Sequence, residues 1–485
     1  MSTGWMPPPA WLPLWLLAPY AAAFLTMLLP SLSAPLLLLC CASTAAIGAA
    51  VLLTNTNLTV LLLGDQGVSL SLEPLAGWFL LLNGLVCLAV WIEARQRPWD
   101  RMGWMLLLVL LGALNTSFLT TDLISLYVSL EVVGISAFLL ILKGDSANAH
   151  WIGLRYLLIG NTAMALYLIG AGLVYAQAGS FQFQALAALP SGAPLVFVLL
   201  GLLVKAGVFL NGLWLPRTHA EAPAEVSALL SGVVVGGGAL PLLRLEQLSP
   251  EISQLLLPIG LASALLGVIY ALVVSDAKRL LAWSTLGQMG LVLLSPAAGG
   301  AMALGHGLAK AGLFLTARQW PTRELSRWRE QALDWKLQLP IWLGSLSIAG
   351  LPPLLGYTAK TRLELSLAPA PATGLLLLSV GSVAIYSRLC WAPWRRGGAA
   401  DWPLGPWLLT LALLIGGLGF SVSSGGWLKA LVVLPAGVLL DQLLQRWRQR
   451  GTAALPQLDR LPDLLGGLGL VGAGLLLAIN AGGEW

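Results

Sequence analysis

Three lysines interrupt apolar runs of this sequence: Lys205 in LLVKAGVFL, Lys310 in GHGLAKAGLFL and Lys360 in LPPLLGYTAK. A charged side chain at the centre of a membrane helix costs roughly 2.5–3.5 kcal/mol on insertion scales, so such residues face a bundle interior, find a partner and mark an ion or proton path. Burial opposes the ammonium form and a nearby carboxylate favours it, so a lysine held between the two becomes a switchable proton carrier. Glu131, in LYVSLEVVGISAFLL, is the acidic residue near the middle of an apolar run, which makes it the expected partner of Lys205. Such a pair could serve packing alone, but apolar replacements of buried ion pairs are often neutral or stabilising, which favours a proton-handling role.

His306 and Lys310 are four residues apart, one turn from each other on a single helical face. Imidazole exchanges protons near neutral pH, so the two form a candidate relay. His150, at a loop edge, is expected as a solvated interfacial residue. Lys360 follows Pro352 and Pro353, which must interrupt their helix because proline lacks a backbone donor and clashes with the preceding turn. Interrupted helices deep in a membrane line cavities and mark transport sites. Glu364, one turn beyond, leaves a local surface pair with Lys360 as the alternative.

The elements that must position these groups follow from composition. Of 485 residues, 58% are hydrophobic and 10% charged, which excludes a soluble globular protein and implies an all-α polytopic membrane protein. Apolar segments predict sixteen helices, or fourteen if the weak C-terminal spans are overcounted by two. Residues 1–101 hold helices 1–3 with an extramembrane hairpin around Gly64-Asp65-Gln66-Gly67, and residues 406–485 hold extra C-terminal helices. Twenty of the 26 Lys and Arg residues fall in loops after odd-numbered spans, and Arg244, Arg362 and Lys429 fall on the other side. By the positive-inside rule, both termini face away from the cytoplasm or stroma. No Lys or Arg precedes Arg95, so the first apolar run reads as a retained span and not a signal peptide. The net charge of +5 comes from these loops and does not imply a nucleic-acid partner. Cys40, Cys41, Cys87 and Cys390 lie in apolar runs without CxxC spacing and read as small hydrophobes. With no dinucleotide fingerprint, no cysteine cluster and no second intramembrane histidine expected, the sequence points to no cofactor, no metal and no redox centre of its own.

Lys205 falls in predicted span 7 and Lys360 in span 12, an odd offset that inverts orientation. Residues 102–244 (helices 4–8) and 255–393 (helices 9–13) are therefore expected as two inverted five-helix repeats, each with a lysine in its fourth helix.

The stretches WLPRTHAEAPAEVSALLSG (214–232), SDAKRLLAWSTLGQMG (275–290), GHGLAKAGLFL (305–315) and AGLPPLLGYTAK (349–360) resemble, in this order, the antiporter-like proton-translocating family. That family contains the large membrane-arm subunits of respiratory complex I, related photosynthetic complexes and Mrp-type cation/proton antiporters. The resemblance covers roughly residues 65–365. It implies two inverted five-helix repeats with helices 7 and 12 broken. It also implies a gating pair at Glu131 and Lys205, a central His306 and Lys310, and a terminal Lys360. Asp276, Lys278 and Arg279 fall in the family's polar turn before span 10, where a charged edge accounts for them equally well. Two positions depart from the pattern. SGVVVGGGALPLLR carries Gly236 where most members have the span 8 lysine, and Arg217 replaces the usual aspartate before the histidine of the span 7–8 loop. The resemblance implies an ion-translocating subunit in a complex with other membrane subunits. It would move protons, or protons coupled to Na⁺, in a bacterial inner or thylakoid membrane. A stand-alone secondary transporter and a degenerate structural subunit are the alternatives, and the motifs do not separate a redox-driven complex from a cation antiporter.

Overall fold

The computed structural model describes residues 11–62, 67–96, 99–144, 147–395, 401–419, 424–449 and 455–482. Its elements are α1 (Trp11–Leu28), α2 (Ser33–Thr54), β1 (Leu58–Leu62), β2 (Val68–Leu72), α3 (Pro74–Ala94), α4 (Arg101–Leu119), α5 (Leu123–Ile141), α6 (Ala147–Ala178), α7 (Phe183–Ala188) and α8 (Ala193–Ala206). They continue with α9 (Leu215–Glu221), α10 (Ala224–Leu229), α11 (Gly236–Leu248), α12 (Pro250–Val273), α13 (Ala277–Val292) and α14 (Pro296–Thr316). The last are α15 (Trp335–Ala349), α16 (Leu355–Ser366), α17 (Pro369–Cys390), α18 (Leu404–Gly419), α19 (Ser424–Gln449) and α20 (Leu461–Gly482).

Each of the sixteen predicted segments is occupied by one of these helices or by a broken pair. Among the described residues, ten helices are long and apolar enough to cross a membrane by themselves, or eleven if the bent α8–α9 pair counts as one span. The rest are shorter, more polar or interrupted by a break. Large apolar side chains such as Leu28, Leu53, Leu377 and Leu477 stand on the outer surface. That arrangement suits a hydrocarbon surround, where lipid tails are as apolar as leucine and helix association depends on close packing instead. The α12–α13 contact meets that need with glycine: a Cβ on Gly290 would stand 2.4 Å from the Gly260 carbonyl oxygen, and one on Gly267 would stand 2.4 Å from the Gly287 nitrogen.

Helix starts are set by aspartates that satisfy orphan N–H groups. Asp122 accepts from Ser125 N at 2.7 Å to open α5, and Asp276 accepts from Arg279 N at 2.8 Å to open α13. The predicted hairpin is present as antiparallel β1 and β2, with Val60 opposite Leu70; residues 63–66 of its turn lie outside the described residues. Arg244, expected near a loop, is instead buried in α11. Its guanidinium meets Glu73 at 2.7 Å and donates to the carbonyls of Thr120 and Ser71, fixing the hairpin to the end of α4. The four cysteines are free, three of them buried.

Two helices break inside the bundle. α8 stops at Gly207, whose left-handed φ of 68° ends the helix, and a 3₁₀ turn (Phe209–Gly212) then leads into α9 at a 45° bend. α15 stops at Gly350, φ 88°, before Pro352 and Pro353, and α16 resumes at Leu355. α10 and α11 are joined by a π-helical turn, Leu230–Val234, so span 8 bends next to Gly236.

Candidate functional site

The break in α8 places Lys205 in the helix's last turn, where a cation also complements the partial negative charge of a helix C-terminus. Its ammonium lies 3.7 Å from Glu131 Oε1 and donates to the Leu130 carbonyl at 3.3 Å. The separation from Glu131 makes an ion pair but is too long for a direct hydrogen bond, and Glu131 Oε1 has no hydrogen-bond partner. Lys205 is 9% exposed and Glu131 22%. The ammonium sits between two glycines: a Cβ on Gly134 of α5 would come within 3.0 Å of Nζ, and one on Gly160 of α6 within 3.7 Å. A cavity of about 10 Å³ beside it, near the space of one water, is lined by both glycines, Tyr156 and Trp214.

His306 and Lys310 lie on α14 and are both buried, Lys310 to 0% exposure. No hydrogen bond joins them. Lys310 Nζ donates to the Leu281 carbonyl of α13 at 2.6 Å and lies 5.3 Å from the centre of the Tyr386 ring. Neither ring nitrogen of His306 meets a hydrogen-bond partner, and the Ser231 backbone stands beside the ring. Lys360, in α16, donates to the Ala349 carbonyl at 3.4 Å, so the second half-helix caps the end of the first across the break. Glu364 pairs with Lys429 of α19, which displaces the local Lys360–Glu364 pair that the spacing allowed. Lys205 is therefore the one intramembrane lysine of the predicted set with a carboxylate within 4 Å among the described residues.

Sequence reasoning missed His219. It was expected in a loop, but the bend after α8 folds α9 back into the bundle and leaves the imidazole 0% exposed, with neither ring nitrogen hydrogen-bonded. Its ring stands edge-on to Phe314, 5.4 Å between centres, and to Trp214, 6.1 Å. Phe314 follows Lys310 by four residues as Lys310 follows His306, so His219 meets the stripe of α14 that carries the pair. It also lies within electrostatic reach of Lys310 and Lys278. The available signal was the spacing, since nine residues between two spans, beginning with the apolar Leu215, are too few for a detached loop.

The charged edge before span 10 divides. Asp276 caps α13 and pairs with Arg323 at 2.9 Å, whereas Lys278 turns inward, is buried and donates to the Ala222 carbonyl at 2.6 Å. Arg217 pairs with Asp459 at 3.1 Å, so an acidic group from the segment before α20 meets the arginine that stands in place of the usual aspartate. At Gly236 an added Cβ would lie 3.1 Å from Phe79 and 3.6 Å from Phe118, whose rings pack 5.4 Å apart. Aromatic side chains occupy the space beside the position where the resemblance places a lysine. His150 is exposed in the first turn of α6, as expected. No group of three or more His, Cys, Asp or Glu able to hold a metal is found among the described residues.

A family model described as "NADH:quinone oxidoreductase/Mrp antiporter, TM" matches residues 120–385. The chain is 32% identical over 358 residues to NADH-quinone oxidoreductase subunit N of Desulforudis audaxviator, covering 66% of this chain and 71% of that protein. It is 33% identical over 269 residues to hydrogenase-4 component B of Escherichia coli, covering 47% of this chain and 40% of that protein. In fold it resembles a chain of the Mrp complex from a Dietzia species, with a TM-score of 0.75 at 20% identity over 90% of this chain and 98% of that one. The family model spans more than half of the chain, and the chain belongs to the NADH:quinone oxidoreductase/Mrp antiporter transmembrane family.

Proposed function

We propose that this chain is a proton-translocating subunit of a multi-subunit membrane complex, with Glu131, Lys205, His306, Lys310 and Lys360 as its proton-handling groups and His219 as a further station. The observation that carries the reading is the Lys205 ammonium at the break of α8, 3.7 Å from Glu131 and flanked by two glycines that leave it room to move. A carboxylate favours the ammonium, and separation from it favours the neutral amine. A small swing of one flexible side chain therefore converts Lys205 from holding a proton to releasing it toward the bundle interior.

Lys310 and Lys360 each rest on one backbone carbonyl with no carboxylate within 4 Å among the described residues. A cation in that setting is costly, which is expected of a group occupied in turn and not of a permanent charge. The ring nitrogens of His219 and His306, which carry no hydrogen bond, supply donors and acceptors beside Lys310. With Gly236 packed against Phe79, the path runs past span 8 through His219 and α14.

In this reading residues 102–244 and 255–393 act as two inverted halves, the basic loops face the cytoplasm or stroma, and the membrane is an energised bacterial inner or thylakoid membrane. The partners are other membrane subunits, as in the complexes that contain the relatives, with no nucleic acid involved. The transported ion is the proton, with Na⁺ as the alternative coupled ion.

The test is to compare ion movement in liposomes carrying the isolated chain with that in liposomes carrying the complex purified from the native host. Translocation by the complex alone supports a subunit role. Equal exchange by the isolated chain makes it a stand-alone transporter, and none by either makes it a structural subunit.

A further inference from the structure

Beside Lys360 the structure holds a cavity of about 40 Å³, enough for water, bounded by the end of α15, the break after it, α16, α17 and α19. Lys360, Glu364 and Lys429 line it together with Thr361, Tyr357 and Ser379. Glu364 lies one turn past Lys360, about 6 Å further along α16, and two residues from the helix end. Its carboxylate takes a hydrogen bond from Lys429, and both side chains are 37% exposed. Arg362, between Lys360 and Glu364 in sequence, turns away to the Trp78 ring. Lys429 belongs to α19, outside the 120–385 region that the family match covers, on a helix for which the sequence offered no role beyond spanning the membrane.

We propose that Glu364 is the proton acceptor that follows Lys360 and that Lys429 is the latch holding it ready. The inference rests on the proton-translocating reading above and adds to it the outlet of the path. In the resting arrangement the Glu364 carboxylate is paired with Lys429. The Lys360 ammonium then gives a proton, through water in the cavity, to that carboxylate: an N–H bond breaks, an O–H bond forms, and a neutral amine and a neutral acid result. Neutralised Glu364 no longer attracts Lys429, so the pair opens, the acid loses its proton to the aqueous side, and the new carboxylate pairs with Lys429 again. The Lys429 ammonium, lining the same cavity, repels protons returning from the aqueous side and hinders back-flow. Helix α19 thereby contributes a functional charge.

The experiment uses the complex assembled in its native host, reconstituted in vesicles, with translocation and passive proton leak both measured. Glu364→Gln removes the acceptor and is expected to slow translocation by roughly 100-fold, the scale of a lost proton-transfer group, without added leak. Lys429→Gln removes the latch and is expected to raise passive leak several-fold. Glu364→Asp, which keeps the acid, is expected to restore most of the flow. A purely structural ion pair responds differently: either Gln variant breaks the same contact, so both change translocation and leak alike and Asp offers no rescue, and that pattern overturns the proposal. Lys205→Ala in the same vesicles separates the two levels. If it stops translocation while Glu364→Gln runs at the wild-type rate, the outlet assignment alone fails; if it too runs at the wild-type rate, the proton-translocating reading fails.

Discussion

Replacing Glu131 with glutamine keeps the shape of the side chain and removes its charge, so it isolates what the carboxylate does for Lys205. At 3.7 Å, with an effective dielectric near 20, the Coulomb attraction is about 4.5 kcal/mol. Losing one partner of a buried pair costs about 3–5 kcal/mol in proteins, which is the same scale. Without that attraction nothing offsets the cost of burying the ammonium, so the protonated state of Lys205 is disfavoured. If each cycle passes through that state, translocation falls by at least tenfold while the neutral pair still packs. Glu131→Asp draws the carboxylate back by about 1.5 Å and retains about 3 kcal/mol of attraction, so its rate falls between the two. The assay is proton uptake by inverted vesicles carrying the assembled complex, followed with a pH-sensitive dye and normalised to the amount of complex. A glutamine variant that pumps at the wild-type rate would refute the reasoning, because the pair would then serve packing alone.

Other perturbations separate position, packing and charge. Gly134→Ala puts a methyl group 3.0 Å from the present position of Lys205 Nζ. The flexible end of the lysine shifts at little cost and alanine is the better helix former by about 1 kcal/mol, so stability does not fall while translocation drops several-fold; unchanged transport would mean that the ammonium's position does not matter. Gly236→Lys pushes into Phe79 and Phe118 and buries a charge. It is expected to destabilise by about 1–3 kcal/mol from overpacking and more from the charge, seen as a lower melting temperature of the detergent-solubilised complex; unchanged melting would show that the aromatic pair yields. Arg244→Ala removes the contacts to Glu73, Thr120 and Ser71, with an expected loss of about 3–5 kcal/mol. Limited proteolysis should then cut at the hairpin, and a wild-type cleavage pattern would count against its role as a staple.

The spans were legible because the solvent for this fold is hydrocarbon, and long apolar runs between Asp, Gly and Pro have few other outcomes. One break could be read from Pro352 and Pro353; the other followed only from the family resemblance, since the α8 break turns on Gly207 and not on proline. The buried charges were legible as anomalies: a lysine among leucines is conspicuous at any distance from its partner. Apart from Glu131 and Lys205, what the sequence hid was long-range pairing. Spacing on one helix suggested that Glu364 serves Lys360, yet Lys429, 65 residues further on, takes the carboxylate. Asp459 meets Arg217 across the fold in the same way. His219 was hidden by a backbone event, the 45° turn after α8 that returns a loop-like segment to the interior.

The central claim is that a buried lysine at the break of α8 carries the transported proton. The most direct measurement replaces Lys205 with alanine in the native host, confirms that the complex assembles, and compares its ion translocation in vesicles with wild type. The account predicts normal assembly and a collapse of translocation. Normal assembly with undiminished translocation would contradict it and leave Lys205 as a packing residue.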